Sequence, residues 1–403
     1  MTRPSRLAAD GGTPVRRRLL PYGRHVVEEE DIAAVVQVLR SDWLTTGPMV
    51  ARFEETFAER VGARFAVSFS SGTAALHGAA HAAGLGPGDE AVTTPMTFCA
   101  TANCVLYVGA SPVFADVRPD TLNLDPAAAE ARLSPRTKAL IVVDYAGHPA
   151  DMDAFGELAR RKGLVLIEDA CHALGASYRG RLVGGLADMT IFSFHPVKHI
   201  TTGEGGMVTT NDGSLARKLR VFRNHGIDSD ARERQSRGDW RYDMTELGFN
   251  YRLSDIACAL GLSQLARLKT NIENRQRIAS RYDEAFRDVP GLKLPAARTE
   301  VGHARHIYPL RVDPRTSGVG RDVLFSELRA EGIGVNVHYI PVHFHPYYRD
   351  RLGHKAGECP VAEAAYGELI TLPLFNGMLS RDVQDVIKAV NKVVSHHAPG
   401  GVS

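Results

Sequence analysis

Residues 164–176 read LVLIEDACHALGA and residues 190–206 read TIFSFHPVKHITTGEGG. Each opens with a short apolar run that does not alternate with polar residues, and each run stops abruptly at a turn-rich segment. Runs of this kind are strands buried on both faces, as in a parallel sheet covered by helices. Working outward, RFAVSFS (64–70), EAVTTP (90–95), SPVFADV (111–117), ALIVVDYAG (139–147) and GMVTTND (206–212) read the same way. Between them lie helix-like stretches: TAALHGAAHAAG (73–84), one reaching Tyr107, one opened by Pro126, and DMDAFGELARRKG (151–163). GLGPGDE (84–90) is a turn between helix and strand. The alternation predicts an α/β fold with a mostly parallel central sheet and helices on both faces.

Upstream, Glu28 to Arg40 carries Ile32, Val35, Val36 and Leu39 at helical spacing. Downstream, Arg252 to Arg287 reads as long helical material. ARHIYPLRV (304–312), a helix near Arg321 to Ala330, GVNVHYI (334–340) and a last helix near Arg381 to Val394 then suggest a smaller α+β unit. The expected division is a large domain over 1–270, including the N-terminal arm, and a small C-terminal domain over 271–403. The polar stretch Asp228 to Tyr242 reads as a surface loop.

Composition narrows the class. The 403 residues are 44% hydrophobic and 23% charged, far from the disordered regime. Lys plus Arg number 48 against 46 for Asp plus Glu, and so balanced a chain argues against nucleic acid as the main partner. MTRPSRLAADGGTPVRRR has no apolar signal region, and the longest uncharged stretch, Ala91 to Ala115, contains Pro95, Asn103 and Pro112. Five cysteines without a CxxC suit reduced thiols. The expectation is a cytoplasmic enzyme with no membrane partner.

Lys198 follows a strand end and a proline, and precedes a threonine- and glycine-rich loop, where α/β folds bind ligands. An arbitrary lysine is a solvated surface residue. A poorly solvated one beside a cationic cofactor is instead a neutral nucleophile able to form a Schiff base. Asp169 ends the other strand, and a carboxylate there needs a cation or a role as a helix cap. The protonated nitrogen of a pyridine ring supplies such a cation, as in pyridoxal phosphate sites. The two residues lie on successive strand ends, which makes the pair far more specific than either alone. A phosphate also needs a cradle: Ser70, Ser71, Gly72 and Thr73 stand between a strand and an Ala-rich helix, where free N–H groups favour a dianion or simply an ordinary cap. Phe98 is either core or a ring for stacking.

Together SSGTAAL, PMTFCAT, EDACHALGA, SFHPVK, TTGEGG and GFNYRLSDI resemble, in order and over roughly Pro21 to Val394, the DegT/StrS family of sugar aminotransferases, fold type I pyridoxal phosphate enzymes. The resemblance implies that Lys198 carries the cofactor as a Schiff base and that Asp169 pairs with the pyridine nitrogen. It implies phosphate contacts from Gly72, Thr73 and Ser193, and ring-flanking positions for Phe98 and His172. In such homodimers the GFNYR motif comes from the neighbouring subunit, which would put Asn250 on the phosphate and Arg252 near the substrate. His195–Pro196–Val197–Lys198 and the His338 to Tyr348 stretch are closest to the branch that aminates UDP-4-keto-6-deoxy-AltNAc in the pseudaminic acid pathway. That places His195, Arg252, His338 and His343 as substrate contacts. The implied reaction moves an amino group from an amino acid, L-glutamate, to a 4-keto-6-deoxy nucleotide sugar. Departures at Gly72 and His345 keep a keto-cyclitol or a 3-keto sugar as the alternative.

Other readings are weaker. His338, His343, His345 and His354 suggest a metal site, but no carboxylate or cysteine stands at ligand spacing, so no metal is expected. Glu168 and Asp169 are adjacent on a strand, point to opposite faces and cannot easily share an ion. A dehydratase on the same fold has histidine where Lys198 stands, and a non-catalytic sensor has no need of Asp169, Ser193 and Lys198 together.

Overall fold

The computed structural model describes residues 6–229, 234, 236 and 238–398. Of the Asp228 to Tyr242 stretch, residues 230–233, 235 and 237 therefore lie outside the described residues. Seven strands form the main sheet: β1 (Phe65–Phe69), β2 (Glu90–Thr93), β3 (Ser111–Phe114), β4 (Thr137–Val143), β5 (Val165–Asp169), β6 (Met189–Ser193) and β7 (Gly206–Thr210). Their spatial order is β1-β7-β6-β5-β4-β2-β3. The pairs among β2, β3, β4, β5 and β6 are parallel, and only β7 runs against its neighbours. The mostly parallel sheet is thus as the residue pattern predicts. Its strands are apolar on both faces because helices cover both. On one side Gly72–Ala82 packs its alanines over Val67, Ile167 and Ile191, while Phe155 and Leu158 of Met152–Lys162 pack with Leu140 and Val142 on the other.

The helix Pro48–Val61 was not legible beforehand. Pro48 occupies its first turn, where no N–H is needed, and Phe53 and Phe57 bury completely against Phe192 and Phe194. The long helical material divides into Asp255–Ala266 and Leu268–Phe286, and residue 270 falls in the first turn of the second.

Beyond it, Leu292–Lys293, Tyr308–Val312 and Leu369–Leu372 form an antiparallel three-stranded sheet. It is packed by Leu268–Phe286, Arg321–Ala330 and Ser380–His397, the last burying Val383, Val386, Val390 and Val393 at helical spacing. The N-terminal arm, expected with the large domain, packs here instead. Leu7 and Leu20 are buried in this core, and Arg16 holds Asp382 at 2.8 Å and Asp385 at 2.6 Å. GVNVHYI forms a β-bridge to this sheet at Asn336, opposite Thr371, which His338 also bonds. Among the described residues no helix is long and apolar enough to cross a membrane.

Glu168 and Asp169 do point to opposite faces. Glu168 is fully buried, its Oε2 accepting from Thr190 Oγ1 at 2.8 Å. Asp144, equally buried, follows the neighbouring strand, and its Oδ1 accepts from Ala150 N at 2.8 Å. Their remaining oxygens have no other partner, and a proton held between the two carboxyls would satisfy both. Burial raises both, Asp144 further through the charge of Glu168, and pushes Glu168 up to about 7. A carboxyl raised above its unfolded value of 4.5 stabilises the fold at low pH and loses that contribution as pH climbs through the folded value of about 7. Glu168→Gln should therefore gain on wild type from mildly acid to mildly alkaline pH, by on the order of 2–3 kcal/mol. Urea unfolding at a series of pH values measures the difference, and parallel curves for the two proteins would refute the shared proton.

Candidate active site

A cavity of about 560 Å³ opens at the carboxyl ends of β1, β5 and β6. Lys198, Asp169, Gly72, Thr73 and Ser193 all line it, although they are scattered over more than a hundred residues of chain. Strand β6 ends at Ser193, and a turn closed by Lys198 N donating to His195 O at 2.9 Å presents the lysine inward. Asp169 is 4% exposed; its Oδ2 accepts from Thr101 Oγ1 at 2.7 Å and its Oδ1 from Cys171 N at 3.1 Å. No helix follows Asp169, so the capping alternative falls away.

Helix Gly72–Ala82 starts at the cavity wall, with Ser71 capping it through Ala74 N at 3.0 Å. The first N–H groups of a helix have no partner within it and favour an anion. Register brings the pieces together, because Gly206 lies opposite both Phe69 and Ser193. A Cβ on Gly206 would stand 2.4 Å from Ser71 O, and one on Gly72 would stand 3.1 Å from Ser193 Oγ. Two glycines thus let the helix end, the strand end and a serine hydroxyl close on one small space. The space suits a phosphate, and a side chain at either position would fill or distort it.

The remaining walls are aromatic and imidazole rings. His172 Nε2 bonds Tyr339 OH at 2.9 Å, and the two rings stack with centroids 5.9 Å apart. Phe98 stands at the mouth, 58% exposed. His195 is exposed at the rim, whereas His338 is buried and held through Nδ1 by Thr371 Oγ1 at 2.9 Å. Burial lowers the pKa of Lys198, favouring the neutral amine, against a smaller opposing pull from Cys171 and Asp169. Burial and then the Lys198 charge hold His172 and His306 well below the usual imidazole range and push His338 down to about 4.

Three expected residues lie elsewhere. His343 is fully buried against Glu363, with Nε2 to Oε1 at 2.9 Å, so it cannot touch a substrate in this cavity and its expected role as a substrate contact is withdrawn. Asn250 is exposed on the surface, and Arg252 faces a second cavity of about 420 Å³, where its Nη1 donates to Asn224 Oδ1 at 2.9 Å. Neither reaches Lys198 of the same chain. Conversely, Thr101, His306 and Tyr339 line the cavity without having been singled out. All three were already inside quoted segments, PMTFCAT, ARHIYPLRV and GVNVHYI. Among the described residues no group of three His, Cys, Asp or Glu side chains is placed to hold a metal ion.

The sequence profile of the DegT/DnrJ/EryC1/StrS aminotransferase family matches residues 25–391. The chain belongs to this family. It is 44% identical over 381 residues to the spore coat polysaccharide biosynthesis protein SpsC of Bacillus subtilis, covering 94% of this chain and 98% of SpsC. Among solved structures, PseC of Helicobacter pylori, an aminotransferase involved in the biosynthesis of pseudoaminic acid, matches with a TM-score of 0.86 at 33% identity, over 94% of this chain and 99% of PseC. Spr1654 of Streptococcus pneumoniae in its PLP form matches with a TM-score of 0.88 at 30% identity, over 94% of this chain and all (100%) of that one. The DegT/StrS chain described here is a pyridoxal 5′-phosphate-dependent sugar aminotransferase of fold type I, and its cradle, lysine and strand-end carboxylate fit that cofactor's phosphate, aldehyde and pyridine nitrogen.

Proposed function

We propose that the protein transfers the amino group of L-glutamate to C4 of a 4-keto-6-deoxyhexose carried on a nucleoside diphosphate. The observation that carries the reading is the convergence of Lys198, Asp169 and the Gly72–Ser193 cradle on one cavity large enough for a sugar beside the cofactor. Likeness to PseC, an aminotransferase involved in the biosynthesis of pseudoaminic acid, supports a sugar acceptor, and the branch resemblance of the His195–Lys198 and His338 to Tyr348 stretches supports its 4-keto form. When bound, pyridoxal phosphate supplies the electron sink that makes an amino acid's Cα proton labile. Lys198 holds the cofactor and, once free, takes that proton and returns it, which a half-buried amine whose pKa burial lowers is suited to do in both directions. Asp169, fixed by Thr101 and Cys171, holds the pyridine nitrogen. Gly72, Thr73 and Ser193 hold the phosphate, while His172 and Phe98 flank the ring. His195 and His338 face the sugar, His338 as a neutral hydrogen-bonding group. Five unpaired cysteines support a cytoplasmic setting.

The enzyme acts as a homodimer whose partner supplies Asn250 and Arg252. Both are turned away from their own chain's lysine. The stretch around them exposes Trp240 at 79%, Met244 at 65% and Leu247 at 76%, apolar surface of the kind a second copy covers. Mixing inactive Lys198→Ala with inactive Arg252→Ala subunits should restore part of the activity, up to about one quarter of sites in a random mixture. No recovery after verified subunit exchange would mean that each site is built within one chain.

A panel of keto-sugar nucleotides assayed with glutamate, with products identified by mass and NMR, tests the substrate. Amination of a 4-keto-6-deoxy nucleotide sugar at C4 is the expected result. Turnover of an unphosphorylated keto-cyclitol or a 3-keto sugar alone would remove the C4 assignment and leave the aminotransferase standing.

A further inference from the structure

His306 is 4% exposed and sits with its Nε2 3.5 Å from Lys198 Nζ and its ring 4.3 Å from that of His172. Its Nδ1 has no protein partner. A residue kept for packing alone would cost less as leucine, because a buried ring nitrogen without a partner is unfavourable. The peptide of His306 is pinned on both sides. Its N–H donates to Ala146 O at 2.9 Å, and its carbonyl accepts from Arg275 Nη1 at 3.0 Å. Ala146 and the preceding Arg305 both have left-handed backbones, φ 59° and 50°, uncommon for side chains other than glycine and typical of constrained sites. Arg275 is itself 1% exposed. It also donates to Leu374 O at 3.1 Å, and among the described residues no carboxylate pairs with it. A buried cation without a counterion is costly, so its retention calls for a function.

We propose that His306 is a positioning residue for the Lys198 amine: its Nε2 accepts from the free amine, and Arg275 clamps its peptide in place. This rests on the reading of Lys198 as the base. Once Lys198 has taken a proton it is an ammonium with three donors, while Asp169 is engaged by Thr101, Cys171 and the pyridine nitrogen. A neutral imidazole holds the ammonium in line, where a carboxylate would trap the proton. Apo contacts of this kind are often long and tighten in the working complex. The groups facing this pair are Cys171, Asp169 and Arg275 around Lys198, and His172, His199 and Arg275 around His306.

The test uses holoenzyme incubated with glutamate, which leaves Lys198 free, and follows acetylation of Lys198 against pH. His306→Leu removes an acceptor that favours the ammonium and should lower the pH at which Lys198 becomes reactive. Arg275→Met removes a nearby cation and the clamp on His306 at once, with opposite effects on this pH, so that variant is read in the glutamate half-reaction, which should slow in the same direction as for His306→Leu. The His306→Leu change should alter labelling near neutrality by about threefold or more. His306→Leu should also slow the glutamate half-reaction about 10- to 100-fold with KM little changed, and His306→Gln, whose carboxamide oxygen can accept, should recover most of it. If the leucine variant does not fold, His306→Asn, too short to reach the amine, takes its place against His306→Gln. A His306→Leu labelling curve unmoved or moved to higher pH, a His306→Leu half-reaction within about twofold of wild type, or glutamine and leucine equally slow would each overturn the proposal. Borohydride reduction of the His306 variants keeps the two readings apart: cofactor fixed on a lysine other than Lys198 would remove the base assignment itself.

Discussion

Lys198→Ala should abolish turnover while leaving a folded protein that still takes up pyridoxal phosphate. The cavity it lines is built by other residues: the helix start at Gly72, the strand ends at Ser193 and Asp169, and the Thr101 contact that holds Asp169. Removing a half-buried side chain at the cavity wall leaves these in place and adds room rather than strain. What is lost is chemistry, both the covalent attachment and the base. A positioned acid–base group contributes about 10²–10⁴, so the expected fall in kcat is at least about 10³-fold with the attachment lost as well. Lys198→Arg should be no better, since a guanidinium stays protonated and cannot act as a base. After borohydride reduction the wild-type cofactor should remain on the peptide that holds Lys198, and on no peptide of the alanine variant. Reduced cofactor on another peptide, or an alanine variant within tenfold of wild type, about 1.4 kcal/mol, would end the assignment.

The order of strands and helices through the large unit was legible because each strand is a short apolar run closed by a turn, a pattern that packing on two faces imposes. LVLIED and TIFSF needed nothing beyond themselves to be read, and the placement of Lys198 and Asp169 at their ends followed. The helix Pro48–Val61 escaped because its apolar face is formed mainly by Phe53 and Phe57, within a stretch whose charges mask the period. The N-terminal arm escaped for a different reason: Leu7 and Leu20 are anchors only in relation to a core some three hundred residues away, and nothing local marks them. His343 shows the limit for side chains. A histidine between prolines reads equally well as a substrate contact or as a buried partner, and only Glu363, brought up by the helix Pro360–Glu368, decides it. His306 was hidden in the same way, since its nearness to Lys198 comes from the turn at Ala146 and from Arg275, distant in sequence.

Asp169→Asn should keep the fold and the bound cofactor yet lose about 10²–10³ in kcat, the range for removing one preorganised electrostatic partner. The side chain changes little in size. An amide oxygen can still accept from Thr101 or from Cys171 N, so packing and cavity shape should survive. It carries no charge, however, and the pyridine nitrogen loses the anion that keeps its proton. The cofactor would then be a weaker electron sink, so proton removal by Lys198 should slow while cofactor attachment to Lys198 should not. Glu168→Gln supplies the matched control, because Glu168 is the preceding residue of the same strand but faces Asp144 and Thr190 on the other side of the sheet. It makes the same carboxyl-to-amide change a few ångströms away and should hold turnover within about threefold, since it touches neither cofactor nor substrate. Steady-state turnover together with the visible spectrum of both variants separates the cases. Equal losses in Asp169→Asn and Glu168→Gln would mean that any carboxyl-to-amide change at this strand end disturbs the site, and not a contact between Asp169 and the pyridine nitrogen.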